Sequence, residues 1–133
     1  MAGPKDELVE ICRSYGGDRL RDVWIFTADA EESVYLRDDL EAKLDGVDVD
    51  QFIDAERYGY IERDTYEALY YAEYEYTLRG MDEFDQYRTF LGDRSNRIGL
   101  MLSFDTNGEI DYRALTDDLR TLYERYGPDE LSP

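Results

Sequence analysis

The sequence predicts an α+β fold: a single domain with the order α-β-β-α-β-β-β-α and a mainly antiparallel five-stranded sheet flanked by helices. Near both ends of the chain, apolar residues recur at spacings of three and four, which is typical of amphipathic helices. After residue 70 the spacing changes to two, which is typical of strands. The 133 residues suit one domain over positions 1–133, with residues 1–5 and 128–133 expected to be flexible.

The first predicted element is a helix. Its apolar stripe runs from Leu8 to Tyr15, Asp6 is in place to cap it, and the glycine pair at residues 16–17 ends it. Cys12 lies on the stripe, so we interpret it as a small buried hydrophobe rather than a redox thiol. Because it is the single cysteine, an internal disulfide is excluded.

Two strands are predicted next. The continuous apolar run at residues 23–26 indicates a central strand buried on both faces, with Trp24 largely buried. Residues 34–36 begin a second strand, and a short helical piece follows. Asp48 is expected to cap another helix that reaches about Glu56, before an irregular segment near Gly59.

The clearest predicted strand covers residues 70–78 and is rich in tyrosine. On one side we place Tyr70, Ala72, Tyr74, Tyr76 and Leu78. Residues 84–91 form its hairpin partner, carrying Tyr87, and residues 98–104 form a fifth strand after a turn at 92–96. Two interpretations of these tyrosines are open. Either they pack against one another across the strands of an amphipathic sheet, or they form an exposed aromatic strip that binds a protein partner.

A final helix closes the predicted domain. Asp111 caps it, and its apolar stripe contains Leu115, Leu119 and Leu122 before Gly127 and Pro128 end it. The resulting order is similar to roadblock and profilin-like folds and to PAS and GAF sensory modules. Such a similarity concerns the fold and gives no function.

One short motif carries a resemblance. The stretch Tyr35-Leu36-Arg37-Asp38-Asp39, after the first strand, resembles a set of small uncharacterised proteins of halophilic archaea. The resemblance implies a cytoplasmic haloarchaeal protein of unknown role, and it carries over no functional residue.

The charge of the chain is extreme, with a formal net charge of −18. Lys5 and Lys43 are the lysines, and the other basic residues are arginines. Such a surface favours concentrated salt, where screening weakens self-repulsion and cations such as K⁺ bind non-specifically. A basic partner or nucleic-acid mimicry is the rival explanation. Binding to nucleic acid or to an anionic membrane is disfavoured, since both need basic patches.

Several chemistries are excluded or disfavoured. The chain has no histidine, which removes Ser-His and Cys-His nucleophile pairs and histidine-ligated zinc. No signal peptide or membrane-length apolar run is visible, so a cytoplasmic location is expected. Residues 105–112 resemble a calcium loop, but starting at Asp105 puts Ile110 where the loop needs glycine. We therefore expect no cofactor or metal there, and a turn before the Asp111 cap.

Three functions remain in competition. The preferred one is a non-catalytic interaction or regulatory module, a homodimer or a binder of a protein partner, with Tyr70, Tyr74, Tyr76 and Tyr87 as the candidate interface. The alternative is a sensory or small-ligand-binding domain with a pocket between sheet and helices. The third is a metal-dependent hydrolase using carboxylates such as Asp38 and Asp39. The first two predict no enzyme activity.

Overall fold

The computed structural model describes residues 3–93, 97–106 and 108–133, and it confirms the α+β class with a five-stranded antiparallel sheet. The helices and strands are α1 (Pro4–Gly16), β1 (Leu20–Phe26), β2 (Glu31–Leu36), α2 (Asp38–Lys43), α3 (Val49–Arg57), α4 (Gly59–Tyr70), β3 (Thr77–Gly80), β4 (Phe84–Leu91), β5 (Ile98–Asp105) and α5 (Tyr112–Leu131). Strand order in the sheet is β2-β1-β5-β4-β3. β1 therefore lies inside the sheet, between β2 and β5, as its continuous apolar run predicts.

One face of the sheet is covered by α1 and α5, and we call it the closed face. Alternate residues of the strands, such as Val23 and Leu100, pack there with Leu8 of α1 and with Leu115 and Leu119 of α5. All five of these side chains are buried. Because side chains alternate across a strand, the period-two pattern of β5 supplies this face directly.

The opposite face is covered by α3 and α4, and we call it the open face. Its apolar cluster is smaller, and consists of Phe26, Phe90 and Met101 from the sheet with Ile53 of α3 and Tyr60 of α4. The rings of Phe26, Tyr60 and Phe90 contact one another in edge-on and tilted geometries. The two faces together make three layers: helices, sheet, helices.

The largest error of the sequence prediction lies between residues 59 and 78. Instead of an irregular segment near Gly59, a helix, α4, begins there and runs to Tyr70. The predicted strand at residues 70–78 is wrong for most of its length, since β3 covers Thr77–Gly80. Tyr71, with φ of 54°, ends α4 in the left-handed conformation, and residues 72–76, which belong to no helix or strand, connect it to β3.

Smaller corrections concern chain ends and caps. α1 begins after Gly3, and the carboxylate of Asp6 accepts the Gly3 backbone N–H from within the first turn, so Asp6 is not the cap residue. Trp24 keeps part of its surface exposed and packs against the open-face cluster, which agrees with the burial predicted for it. Residues 128–131 add a helical turn past a kink at Gly127, with Leu131 in the core, and the flexibility expected of residues 128–133 stays a prediction.

Part of the predicted turn at 92–96 and Asn107 of the predicted loop at 105–112 lie outside the described residues. Within the part of the chain that is described, no helix has the length and apolarity that a membrane span requires.

Candidate functional site

The four tyrosines predicted as an interface do not form one surface. Tyr87 is fully buried, and its hydroxyl pairs with that of Thr116 at 2.7 Å. Burial raises the pKa of Tyr87 above its usual value. Tyr74 and Tyr76 are half-buried, whereas Tyr70 is 67% exposed at the end of α4. Tyr70 alone among the four is freely accessible.

Tyr74 and Tyr76 lie on opposite faces of the sheet although they are two residues apart. The ring of Tyr74 packs against Phe90 on the open face, and that of Tyr76 stacks on Tyr87 on the closed face. Their segment wraps the edge of the sheet, and the Glu75 carbonyl accepts a hydrogen bond from the Thr89 hydroxyl at 2.7 Å. The alternating pattern therefore reflects a chain that crosses the edge of the sheet.

Helix α4 has its charged side toward the protein and its apolar side toward solvent. Arg63 points inward and donates to the Gly92 carbonyl at 3.1 Å, and Glu67 accepts the Tyr74 backbone N–H. The outward side carries Ile61, 67% exposed, and Leu69, 63% exposed. A surface helix normally shows the reverse arrangement.

We name the outward apolar residues of this helix and its start the α4 surface: Tyr58, Ile61, Tyr66, Leu69 and Tyr70. The rings of Tyr66 and Tyr70 are stacked with centroids 5.8 Å apart. Among the described residues, every exposed large apolar side chain lies between Val47 and Met81. These exposed side chains therefore come from one continuous stretch of the chain, from just before α3 to just after β3.

A buried ion-pair network holds α3 and α4 on the sheet. Arg88 of β4 is 2% exposed and donates to Glu56 of α3, 3% exposed, at 3.2 Å. The same guanidinium reaches Glu62 of α4 at 3.0 Å, and Arg79 of β3 also binds Glu56. Charged groups so deeply buried need such partners, because unpaired burial is costly. The network explains how charged residues replace apolar packing beneath α4.

A cavity of about 230 Å³ lies beside this network, between the open face and α3. Its apolar walls include Trp24, Met101 and Phe52, while Asp22 and Ser103 stand on the sheet beneath. The Ser103 hydroxyl donates to the Asp22 carboxylate at 2.7 Å, and the Trp24 indole N–H donates to it at 3.3 Å. Sequence reasoning missed this cavity; Asp22, directly before the apolar run predicted as a buried strand, was its available signal.

In the segment that resembles a calcium loop, the aspartates have other roles. Asp105 pairs with Arg37 at 2.7 Å and with Arg21 at 3.5 Å, and the Arg37 hydrogen bonds lower the pKa of Asp105. Asp111 caps α5 by accepting the Ala114 backbone N–H at 3.0 Å. In the described ranges, no group of three or more Cys, Asp or Glu side chains is arranged to hold a metal ion.

Fold and site together define an α+β domain with one sheet face closed by helices and the other left with an exposed apolar helix and a cavity. The chain belongs to the family described as Domain of unknown function (DUF7522), whose model matches residues 6–124. That range includes all five strands. No curated protein and no solved structure matches the chain.

Proposed function

We propose that the protein is a non-catalytic interaction module that self-associates through the α4 surface. The observation that carries this proposal is the inverted amphipathicity of α4, with Ile61 and Leu69 outward and Arg63 inward. Several large apolar side chains exposed on one helix are typical of a contact site. Tyrosines suit such a contact, since they combine apolar area with a hydroxyl that tolerates water at the rim.

A second copy of this chain is the partner that we propose, and the charge of the chain makes this contact depend on salt. Each molecule carries a formal charge of −18, so association between copies is opposed by repulsion in dilute buffer. Concentrated salt screens that repulsion and strengthens apolar contacts. We propose accordingly that the protein is salt-adapted and works in the cytoplasm of a halophilic archaeon, with K⁺ bound non-specifically at its surface.

Sedimentation measures the self-association directly. At about 10 µM protein in about 1 M KCl, we expect a dimer, because that concentration populates a complex with a micromolar dissociation constant. In about 0.1 M KCl the same sample is expected to shift toward monomer, because the Debye length is then ~10 Å and the like charges repel. Thermal melts across the same salts test salt adaptation, and stability should rise with KCl.

Leu69→Glu places a charge on the α4 surface, next to Tyr70 and one helical turn from Tyr66, and is expected to weaken the dimer at least about tenfold. Ser14→Glu is the matched control, since it adds the same charge on the exposed side of α1. It should leave the dimer intact. A monomer at every concentration in molar KCl, or equal effects of the two substitutions, would contradict self-association through α4.

A further inference from the structure

The cavity on the open face has the shape of a small-molecule site and belongs to neither the α4 surface nor the ion-pair network. It is bounded by the sheet on one side and by Val49, Phe52 and Ile53 of α3 on the other. At its rim, Phe52 is 46% exposed and Val47 is 47% exposed. An apolar cavity of about 150 Å³ is enough to hold benzene. The 230 Å³ here accommodates a ring with a small polar substituent.

The carboxylate of Asp22 lies on the sheet side of this apolar cavity. Asp22 of β1 lies opposite Ser103 of β5 in the antiparallel register, so two inner strands fix its position. Its hydrogen bonds come from neutral groups, the Ser103 hydroxyl and the Trp24 indole. Burial raises the pKa of the Asp22 carboxyl, which indicates that water stabilises its charge poorly.

The neighbouring cationic side chain, Arg21, interacts with other groups. The guanidinium of Arg21 stacks over the Phe84 ring at 4.3 Å and pairs with Asp105 at 3.5 Å. Its Nε donates to the Ser103 hydroxyl at 3.3 Å, and that hydroxyl in turn donates to Asp22. Arg21 thus orients Ser103, and although its charge acts on Asp22 from a distance, the ion pair it forms among the described residues is with Asp105.

We propose that this cavity binds a small organic cation with a flat apolar body, whose ammonium or amidinium group pairs with Asp22. The apolar walls, which include Trp24, would remove the ring from water. A charge-assisted hydrogen bond inside an apolar cavity distinguishes a cation from a neutral molecule of the same shape. The strongly acidic surface raises the local concentration of cations near the entrance.

Benzamidine and benzamide are the probes that test this inference. They have the same size and shape, but benzamidine carries a positive amidinium where benzamide carries a neutral amide. Trp24 is the single tryptophan and lines the cavity, so its fluorescence reports binding. Titrations in about 1 M KCl suppress loose cation binding at the exposed acids, because the Debye length there is about 3 Å.

We expect a saturable change in Trp24 fluorescence with benzamidine, and at least about tenfold weaker binding of benzamide. Asp22→Asn is expected to abolish the preference for the cation, while Asp117→Asn, an exposed acid on α5, should preserve it. Val49→Phe fills the cavity and should eliminate binding of both probes, so the inference stays testable if Asp22→Asn fails to fold. Equal affinity for the two probes, a non-saturating response, or full binding by Val49→Phe would overturn it.

Discussion

The closed and open faces of the sheet are covered in different ways. On the closed face, α1 and α5 bury leucines such as Leu8, Leu119 and Leu122 against alternate strand residues. On the open face, α3 and α4 bury few apolar side chains, and the contact relies on Glu56 and Arg88 as much as on Ile53. The same sheet therefore has one side stabilised by apolar packing and another whose covering helices keep apolar area exposed.

The difference separates stability from function within one small domain. Tightly packed cores are specified by side-chain volume, and they leave little room for a ligand or partner. Elements with few buried apolar contacts open more easily and carry binding sites more often. We infer that the closed face fixes the fold, while the open face supplies the α4 surface and the cavity.

Removing one partner of the buried ion pair on the open face should cause the largest loss of stability. Removing one partner leaves a buried charge uncompensated, so Glu56→Ala should lower the free energy of unfolding by about 3–5 kcal/mol. Glu62 binds the same guanidinium but is 45% exposed, so Glu62→Ala should cost less than about 1 kcal/mol. Denaturant unfolding in high salt measures both. Equal losses would show that burial of Glu56 adds nothing to the pair.

The sequence predicts the closed face well because its helices and strands have clean periodicity. Leu115, Leu119 and Leu122 follow the helical spacing, and β5 alternates without interruption. Prediction fails at α4 because its apolar residues face solvent and its charged residues face the sheet, which conceals the usual pattern. Tyr74 and Tyr76 mislead for a different reason, since they pack on opposite faces as the chain rounds the edge.

The candidate site is less visible in the sequence than the fold. The cavity brings together residues from β1, β4, β5 and α3 that are distant in the chain, and no spacing rule connects Asp22 to Ser103 or Phe52. Sheet order was also not predictable, because β1 pairs with β5 across most of the chain. Tyr70 is the one predicted interface residue that lies on the α4 surface.

Matched leucine substitutions compare the two faces directly. Leu119 of α5 is fully buried, so Leu119→Ala should cost about 2–5 kcal/mol through lost packing and the cavity it leaves. Leu69 of α4 is 63% exposed, so the same substitution there, Leu69→Ala, should change the free energy of unfolding of the monomer by less than about 0.5 kcal/mol. Thermal unfolding at low protein concentration provides the measurement. A large loss from Leu69→Ala would mean that the α4 surface packs within its own subunit.

Two aspartate caps give the smallest expected effect and test whether the open face unfolds separately. Asp111 accepts the Ala114 N–H at the start of α5, and Asp48 accepts the Gln51 N–H at the start of α3, at 3.0 and 3.1 Å. Loss of such a cap costs about 1 kcal/mol. Because α5 packs on the closed face, Asp111→Ala should lower global stability by that amount.

Asp48→Ala should act mainly on its own helix, because α3 buries few apolar side chains and can open without the rest of the sheet. Native-state hydrogen exchange is expected to show faster exchange of the α3 amides in this variant, while β5 amides keep their protection. Asp111→Ala is the matched control and should speed exchange of the most protected amides on the closed face. If Asp48→Ala accelerated α3 and β5 equally, the two faces would unfold as one cooperative unit, and the functional contrast between them would have to rest on surface chemistry alone.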